Sequence, residues 1–272
     1  MNAPPELAYA SGVPAARVRR CTRAFLTLLA KEVRRFLRIW SQTLLPPVIT
    51  TALYLLIFGG LIGRRIGAMD GHAYLAFIVP GVIMLAVITN AYGNVVSSFF
   101  AAKFQGFVQE LLVAPIPNWL VLAGYVAGGV ARGLITAVLV GAVAFAVAGF
   151  HMAHPLLTLA FALLTAVTFS LAGFLNAVYA TSFDHISIVP TFVLTPLTYL
   201  GGVFYSVDLL PQPWRTLSLG NPVLYMVDGF RYGILGSSDV HPAAGLVILA
   251  GFSVGLGAFA LALMARGVGI KS

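Results

Sequence analysis

The chain has 272 residues, of which 60% are hydrophobic and only 9% are charged. Soluble globular proteins carry about 25% charged residues, so this composition excludes a protein whose whole surface faces water. The formal net charge is +8, and many of the basic residues lie near the amino terminus. Without a sizeable soluble domain beside them, they do not indicate a nucleic-acid-binding protein. The sequence therefore predicts an all-α integral membrane protein.

The first predicted elements are a basic tail and an amphipathic helix. Residues 1–21 are expected to form a flexible cytoplasmic tail, and residues 22–40 are expected to be helical. The apolar face of this helix contains Phe25, Leu28, Leu29, Val33, Phe36, Leu37 and Trp40, and the basic face contains Lys31, Arg34, Arg35 and Arg38. A helix with these two faces is predicted to lie in the membrane interface, held by apolar burial and anionic lipid headgroups.

Six apolar stretches are long enough to cross a bilayer, which takes about 20 helical residues. They are residues 41–62, 73–99, 118–150, 155–180, 186–206 and 243–265. Lys and Arg concentrate on the side of the amino terminus, so the positive-inside bias predicts that both termini are cytoplasmic. Residues 41–272 are therefore expected to form one transmembrane domain of six spans.

Between the second and third predicted spans, residues 103–117 interrupt the apolar runs with the stretch KFQGFVQELLVAPIP. The apolar residues at helical spacing are Phe104, Phe107, Val108, Leu111 and Leu112. Their spacing predicts a short amphipathic helix, which Pro115 and Pro117 end. Its other face offers Lys103 and Glu110, and Gly106 permits another chain to approach closely. Two interpretations stay open: a turn lying in the interface, or a surface that binds a cytoplasmic protein.

Residues 207–242 are too polar for a span and too apolar for a free loop. Their prolines break helices, so we expect short helical pieces in a re-entrant element of the outer leaflet, where irregular backbone is tolerated only against protein or water. Asp228 and Arg231 lie three positions apart and can pair on one helix face. We expect the pair to brace this element, and exchanging the two charges should then restore much of what either alanine substitution loses.

Two motifs give the chain a resemblance to a known family. The loop motif consists of Lys103, Gly106, Glu110, Leu112 and Pro115. The motif after the fifth predicted span consists of Gly201, Gly202, Phe204, Pro211, Asn221, Pro222, Tyr225, Asp228 and Arg231. With the interfacial helix and six spans, the pattern over about residues 20–270 resembles the membrane subunit of the type-2 ABC exporters, which move drugs, polysaccharides and lipo-oligosaccharides.

The resemblance implies that the loop carries a coupling helix, seated in a groove of a nucleotide-binding subunit. It also implies a bacterial inner-membrane exporter of two identical permease chains and two such subunits, which bind ATP and Mg²⁺. The residues that it assigns to coupling are Lys103, Phe104, Gly106, Phe107, Glu110, Leu111 and Pro115. The residues that it assigns to the re-entrant outer motif are Asn221, Pro222, Tyr225, Asp228 and Arg231.

The sequence predicts no catalytic residue, cofactor or metal site on this chain. It lacks a phosphate-binding glycine loop followed by Lys and Ser or Thr, and its one cysteine, Cys21, excludes a cysteine-cluster metal site. No carboxylate falls in the middle of a predicted span, which disfavours a proton-coupled carrier. The main alternative to a transport subunit is a membrane-embedded scaffold or lipid-acting enzyme.

Several residues inside the predicted spans are candidates for the path of an amphipathic substrate. They are Tyr54, Phe58, Tyr92, Phe174, Asn176, Phe192 and Tyr199. For most of them the alternative is ordinary helix packing or lipid contact. Arg132 is the one charged residue inside a predicted span, and the long uncharged run after it predicts that its side chain extends to the inner interface. These residues do not identify the substrate.

Overall fold

The computed structural model describes residues 14–113, 116–149 and 152–269. The chain begins with helix α1 (Pro14–Arg38), which starts inside the stretch predicted to be a flexible tail. Residues 1–13 and Pro115, a predicted coupling residue, lie outside the described residues. The helix predicted over residues 22–40 is therefore longer at its amino-terminal end than its apolar face suggests.

The remaining elements follow in chain order. Helix α2 (Trp40–Ile66) is joined by a two-stranded antiparallel hairpin, β1 (Ala68–Met69) and β2 (His72–Ala73), to helix α3 (Tyr74–Phe104). Then come α4 (Phe107–Val113), α5 (Asn118–Ala148), α6 (Pro155–Tyr179) and a short helix α7 over residues 185–199. A 3₁₀ turn (Val207–Leu209), α8 (Trp214–Leu219), α9 (Pro222–Leu235) and α10 (Pro242–Arg266) complete the chain.

Among the described residues, five helices are long and apolar enough to cross a membrane: α2, α3, α5, α6 and α10. The prediction of six full spans is not confirmed, because α7 consists of three pieces of five residues each and falls short of the about 20 residues that a span needs. Its middle piece, Pro190–Leu194, is π-helical. Proline lacks the N–H that an α-helix requires, and local π-helix accommodates such interruptions. From residue 200 to 206 the chain forms turns and bends.

Helix α3 is the centre of the fold. In an apolar stretch of 18 residues within α3, 78% of the residues are buried, against 11% in the corresponding stretch of α2. Helices α5 and α6 both pack against it and against each other, and its Phe99 ring lies 5.2 Å from the Tyr125 ring of α5 and 4.3 Å from the Phe174 ring of α6. Close packing of this kind holds helices together in a bilayer, where the lipid is as apolar as the side chains.

Helix α1 packs across α5 rather than lying alone in the interface. A Cβ at Gly124 would meet the side chain of Leu28, and one at Gly128 would meet that of Glu32, so the two helices touch at these glycines. Leu28, Glu32 and Phe36 are buried and form one stripe at i, i+4 and i+8. The predicted apolar face is therefore only partly buried in this chain.

Candidate functional sites

The short helix α4 is set apart from α3 by a sharp turn at Gly106. Gly106 has a φ of +79°, which L-amino acids with a side chain rarely adopt. Val108, at 1% exposure, fixes α4 to the core, whereas Phe107 is 49% exposed. Glu110 is also exposed. Of the apolar residues at helical spacing, Val108 is fully buried, whereas Phe104 and Phe107 are exposed.

Lys103, assigned to coupling by the family resemblance, contacts the end of a neighbouring helix. Its Nζ donates hydrogen bonds to the backbone oxygens of Val178, at 2.6 Å, and Ala180, at 2.8 Å. A cation at a helix carboxyl terminus satisfies carbonyl groups that have no partner within the helix. Beside it the ring of Phe104 lies 5.2 Å from that of Phe183. The end of α3 is thereby fastened to the corner between α6 and α7.

The outer motif begins with a helix cap. The Asn221 side chain accepts a hydrogen bond from the backbone N–H two residues on, at 3.0 Å, and so caps α9, whose first residue is Pro222. This is the favoured position for both residue types. The Asn221 Nδ2 also donates to the carbonyl oxygen of Leu197 in α7, at 2.6 Å. The Tyr225 hydroxyl donates to Leu219 O at 2.7 Å, which ties α9 to α8.

Asp228 and Arg231 form a buried pair on α9. Their nearest atoms are 3.5 Å apart, and both side chains are almost fully buried. The two carboxylate oxygens of Asp228 accept from the backbone N–H groups of Asp239 and Val240, each at 2.9 Å. Arg231 Nη2 donates to Gly202 O at 2.6 Å. Each charge thus holds a different segment against α9, Asp228 the segment after it and Arg231 the chain after α7.

Neighbouring contacts support this buried pair. The Arg231 guanidinium carbon lies 3.9 Å from the centre of the Phe77 ring of α3, a cation–π contact that is strongest away from water. Burial raises the pKa of Asp228, while the two backbone N–H groups and Arg231 act in the opposite direction. Asp239 in turn accepts from Ser206 Oγ and Val207 N, each at 3.0 Å. The outer element is therefore one connected network.

A lateral groove of about 440 Å³ lies between α2 and α7 and is floored by α3. Pro46 and Thr50 of α2, Asn90 of α3, and Thr195 and Tyr199 of α7 are among the residues that line it. The described lining combines hydroxyl and amide groups with apolar surface and includes no charged side chain. The groove therefore suits the apolar or uncharged part of an amphipathic molecule.

Three of the predicted path residues lie in the groove or beside it. Tyr54 and Tyr199 line it directly. Phe58 stacks on Phe204, with ring centres 4.8 Å apart, and Phe204 is itself part of the lining. These aromatic rings gather at the end of the groove that lies nearer the outer element.

The other four predicted path residues lie elsewhere. Tyr92 and Phe174 are buried in the core between α3 and α6. Asn176 Nδ2 donates to the Tyr92 hydroxyl at 2.7 Å and to Ile186 O at 3.2 Å, so it links α6 to the start of α7. Phe192 is 73% exposed and is absent from the described lining of the groove. Within this chain, helix packing accounts for Tyr92, Phe174 and Asn176.

The sequence reasoning missed a polar cluster beneath α1. Glu32 is 1% exposed; it accepts from Ser98 Oγ at 2.6 Å and pairs with Arg35 at 3.3 Å. Arg35 also donates to Asn94 Oδ1 at 2.8 Å. The available signal was that Glu32 is the only acidic residue in the predicted helix 22–40 and lies three positions before Arg35. Arg132, expected to extend to the inner interface, donates to Thr43 O near the start of α2 and to Asn90 Oδ1 of α3.

Long apolar helices around a lateral groove, with a short helix projecting from one end, are the architecture of a membrane transport subunit. Residues 23–235 match the family described as ABC-2 type transporter, and the chain belongs to that family. Over 250 residues it is 56% identical to the inner membrane transport permease YadH of Escherichia coli strain K12. The aligned residues make up 92% of this chain and 97% of that protein.

A more distant relative is nodulation protein J of Rhizobium leguminosarum bv. viciae. The two are 24% identical over 216 residues, which is 78% of this chain and 83% of that protein. Family membership makes this chain a transport subunit rather than an enzyme, and so disfavours the alternative of a lipid-acting membrane enzyme. Membrane subunits of this family generally work with a nucleotide-binding ATPase subunit.

Proposed function

We propose that this chain is the permease of an ATP-driven exporter in the inner membrane, and that it moves an amphipathic substrate out of the cytoplasm or the inner leaflet. Two copies would work with two nucleotide-binding subunits, which hold ATP and Mg²⁺. Family membership, the 56% identity to an inner membrane transport permease and the uncharged lateral groove support this proposal. Both termini and α4 would be cytoplasmic, an orientation that the basic exposed face of α1 supports.

The exposed side of α4 is the observation that carries the proposal. Val108 fixes the helix to the core, while Phe107 and Glu110 remain exposed beside it. An aromatic residue and a charge on a rigidly held helix suit a docking contact, because aromatic residues often dominate binding energy. The nucleotide-binding subunit would press on this side, and α4 would move with the end of α3.

The contacts of Lys103 suggest how such a movement would reach the groove. Lys103 fastens the end of α3 to the carboxyl terminus of α6, and Asn176 joins α6 to the first turn of α7. Helix α7 forms one wall of the groove. A displacement at α4 would therefore shift α7 relative to α2 by rigid-body movement of packed helices, which opens or closes the groove.

The first test removes the exposed charge or the turn of α4. Glu110→Ala and Gly106→Trp should each lower the ATPase rate that the permease induces in the reconstituted complex, and should weaken pull-down of the nucleotide-binding subunit. Gly106→Trp acts because a side chain is strained at this positive φ. Asp208→Ala is the matched control, since Asp208 is an exposed carboxylate of the outer element, outside both α4 and the corner between α6 and α7. Normal rates and pull-down for both α4 variants would refute docking at this helix.

A second test separates docking from transmission. Lys103→Met removes the hydrogen bonds to Val178 and Ala180 but leaves the exposed side of α4 intact. We expect pull-down of the nucleotide-binding subunit to persist while the permease-induced ATPase rate falls, and Lys103→Arg to restore part of that rate because it keeps a donor cation. Loss of pull-down in Lys103→Met would instead mean that Lys103 itself contacts the ATPase subunit.

A further inference from the structure

Arg132 is a charged residue inside the span α5, and its described partners are neutral. Its Nη2 donates to the backbone oxygen of Thr43 at 3.2 Å and to Asn90 Oδ1 at 3.0 Å. Its Nε is buried without a hydrogen-bond partner among the described residues. A charge at this position is costly unless it is paired, and among the described residues the guanidinium has no counter-ion.

The neighbouring carboxylate is already used. Glu32 pairs with Arg35 and accepts a hydrogen bond from Ser98. Arg35 binds Asn94, one helical turn from the Asn90 that binds Arg132. In this cluster of described residues, two arginines face one glutamate, which leaves a net positive charge beside α3. Both described partners of Glu32 are therefore groups other than Arg132.

The uncompensated charge adjoins the lateral groove. Asn90 belongs to the groove lining, as do Pro46 and Pro47, which follow closely after Thr43. The guanidinium therefore stands directly behind the wall of the groove at the end where α2 begins. Asn90 donates its own Nδ2 to Ala86 O, so its Oδ1 is held in place to orient Arg132.

The depth of Arg132 matches the headgroup boundary. Its Nη2 donates to the backbone oxygen of Thr43, the fourth residue of α2, so Arg132 lies level with the start of that span. The rest of α5, residues 133–148, is uncharged and extends about 24 Å at 1.5 Å per residue, which takes up most of a hydrocarbon core about 30 Å thick. An anion at the headgroup level of the inner leaflet would thus be within reach of Arg132, with the groove extending deeper into the bilayer.

We propose that Arg132 binds the phosphate of an anionic phospholipid of the inner leaflet, whose acyl chain lies in the lateral groove. A guanidinium matches phosphate oxygens with two parallel donors, and the lining of the groove is uncharged where the chain would lie. Lipid and exported substrate would share the groove, but lipid binding needs neither ATP nor a nucleotide-binding subunit and can therefore be measured apart from export. It assigns a role to a charge in the middle of α5 that has no ion-pair partner among the described residues.

The experiment measures lipid retention by the full-length permease alone. The detergent-solubilised protein is incubated with phosphatidylglycerol or with phosphatidylcholine, re-purified, and its bound lipid is measured by native mass spectrometry. Arg132→Gln should lower the affinity for phosphatidylglycerol about tenfold, as expected for loss of one charge-assisted contact, with little change for phosphatidylcholine. Arg132→Lys should retain part of the preference. Arg34→Gln, an exposed cation of α1, should change it less than about twofold, since exposed charges are screened.

A second variant keeps the test decisive if Arg132→Gln does not fold. Thr50→Trp fills the groove from an exposed position and leaves Arg132 in place, so it should displace the lipid as well. Unchanged phosphatidylglycerol binding in either folded variant would overturn the proposal. A carboxylate from a second copy of the chain is the competing counter-ion. If Arg132→Gln separates the permease dimer during size-exclusion chromatography while lipid binding stays the same, that carboxylate holds Arg132 and the proposal fails.

Discussion

Replacing Arg231 by alanine should destabilise the protein far more than replacing Arg215, although each arginine belongs to an ion pair. The side chains of Arg231 and Asp228 are only 2% and 1% exposed, whereas those of Arg215 and Asp208 are 45% and 57% exposed. Removing one partner of a buried pair typically costs about 3–5 kcal/mol, because the other charge stays buried alone. An exposed pair contributes about 0–1 kcal/mol. The expected difference is therefore several kcal/mol.

Exchanging the two charges should not restore this loss. The sequence alone predicts a rescue, because Asp228 and Arg231 can meet on one helix face. In the structure the carboxylate must be at position 228 to accept from the N–H groups of Asp239 and Val240. The guanidinium must be at position 231 to reach Gly202 O. The exchanged pair would keep the mutual attraction and lose these hydrogen bonds, so its stability should stay close to that of the alanine variants.

The assay is SDS-induced unfolding in mixed micelles, followed by tryptophan fluorescence. Free energies of unfolding are compared for the wild type, Arg231→Ala, Arg215→Ala and the exchanged double variant. If Arg231→Ala and Arg215→Ala differ by less than about 1 kcal/mol, the buried pair does not have the strength that burial implies. A fully stable exchanged variant would show that the backbone contacts of Asp228 and Arg231 contribute little.

Two further predictions concern packing and orientation. An aromatic ring of α6 occupies the space where a Cβ at Gly229 would lie, so Gly229→Ala should lower the free energy of unfolding by about 1–3 kcal/mol through overpacking. A Cβ at Gly251 would meet open space, so Gly251→Ala should be neutral or slightly stabilising in the same SDS titration. In a Cys21→Ser background, a membrane-impermeant maleimide applied to intact spheroplasts should label a cysteine at the exposed Ser238 but not one at the exposed Gln105. Labelling at position 105 would reverse the proposed orientation.

The sequence alone was sufficient for the class of protein and for most helix boundaries. Low charge and long apolar runs leave no alternative to membrane-spanning helices, and local signals end them. Residues 155–180 were predicted and Pro155–Tyr179 was found; residues 243–265 were predicted and Pro242–Arg266 was found. Proline begins both helices, because it fits the first helical turn and lacks only an N–H that would have no partner there.

The fifth predicted span shows where local patterns stop being informative. Residues 186–206 are uncharged throughout and mostly apolar, but the helix occupies only residues 185–199. Hydropathy indicates whether a residue favours apolar surroundings. It does not distinguish a membrane-spanning helix from a turn that is packed against other helices. The turn after residue 199 is stabilised by Arg231, which donates to Gly202 O from 29 residues further along the chain.

The same distinction holds for the candidate sites. Periodicity determined that α4 is amphipathic, but the tertiary structure decided that Val108 is buried and Phe107 is exposed. The loop motif singled out Lys103, yet its acceptor Val178 O lies 75 residues away. The sequence of the basic helix does not show that Glu32 is buried, because its partner Ser98 lies 66 residues away. Hydrogen bonds and burial depend on which helices become neighbours, and that is decided by the packing of whole helices rather than by the few residues around each site.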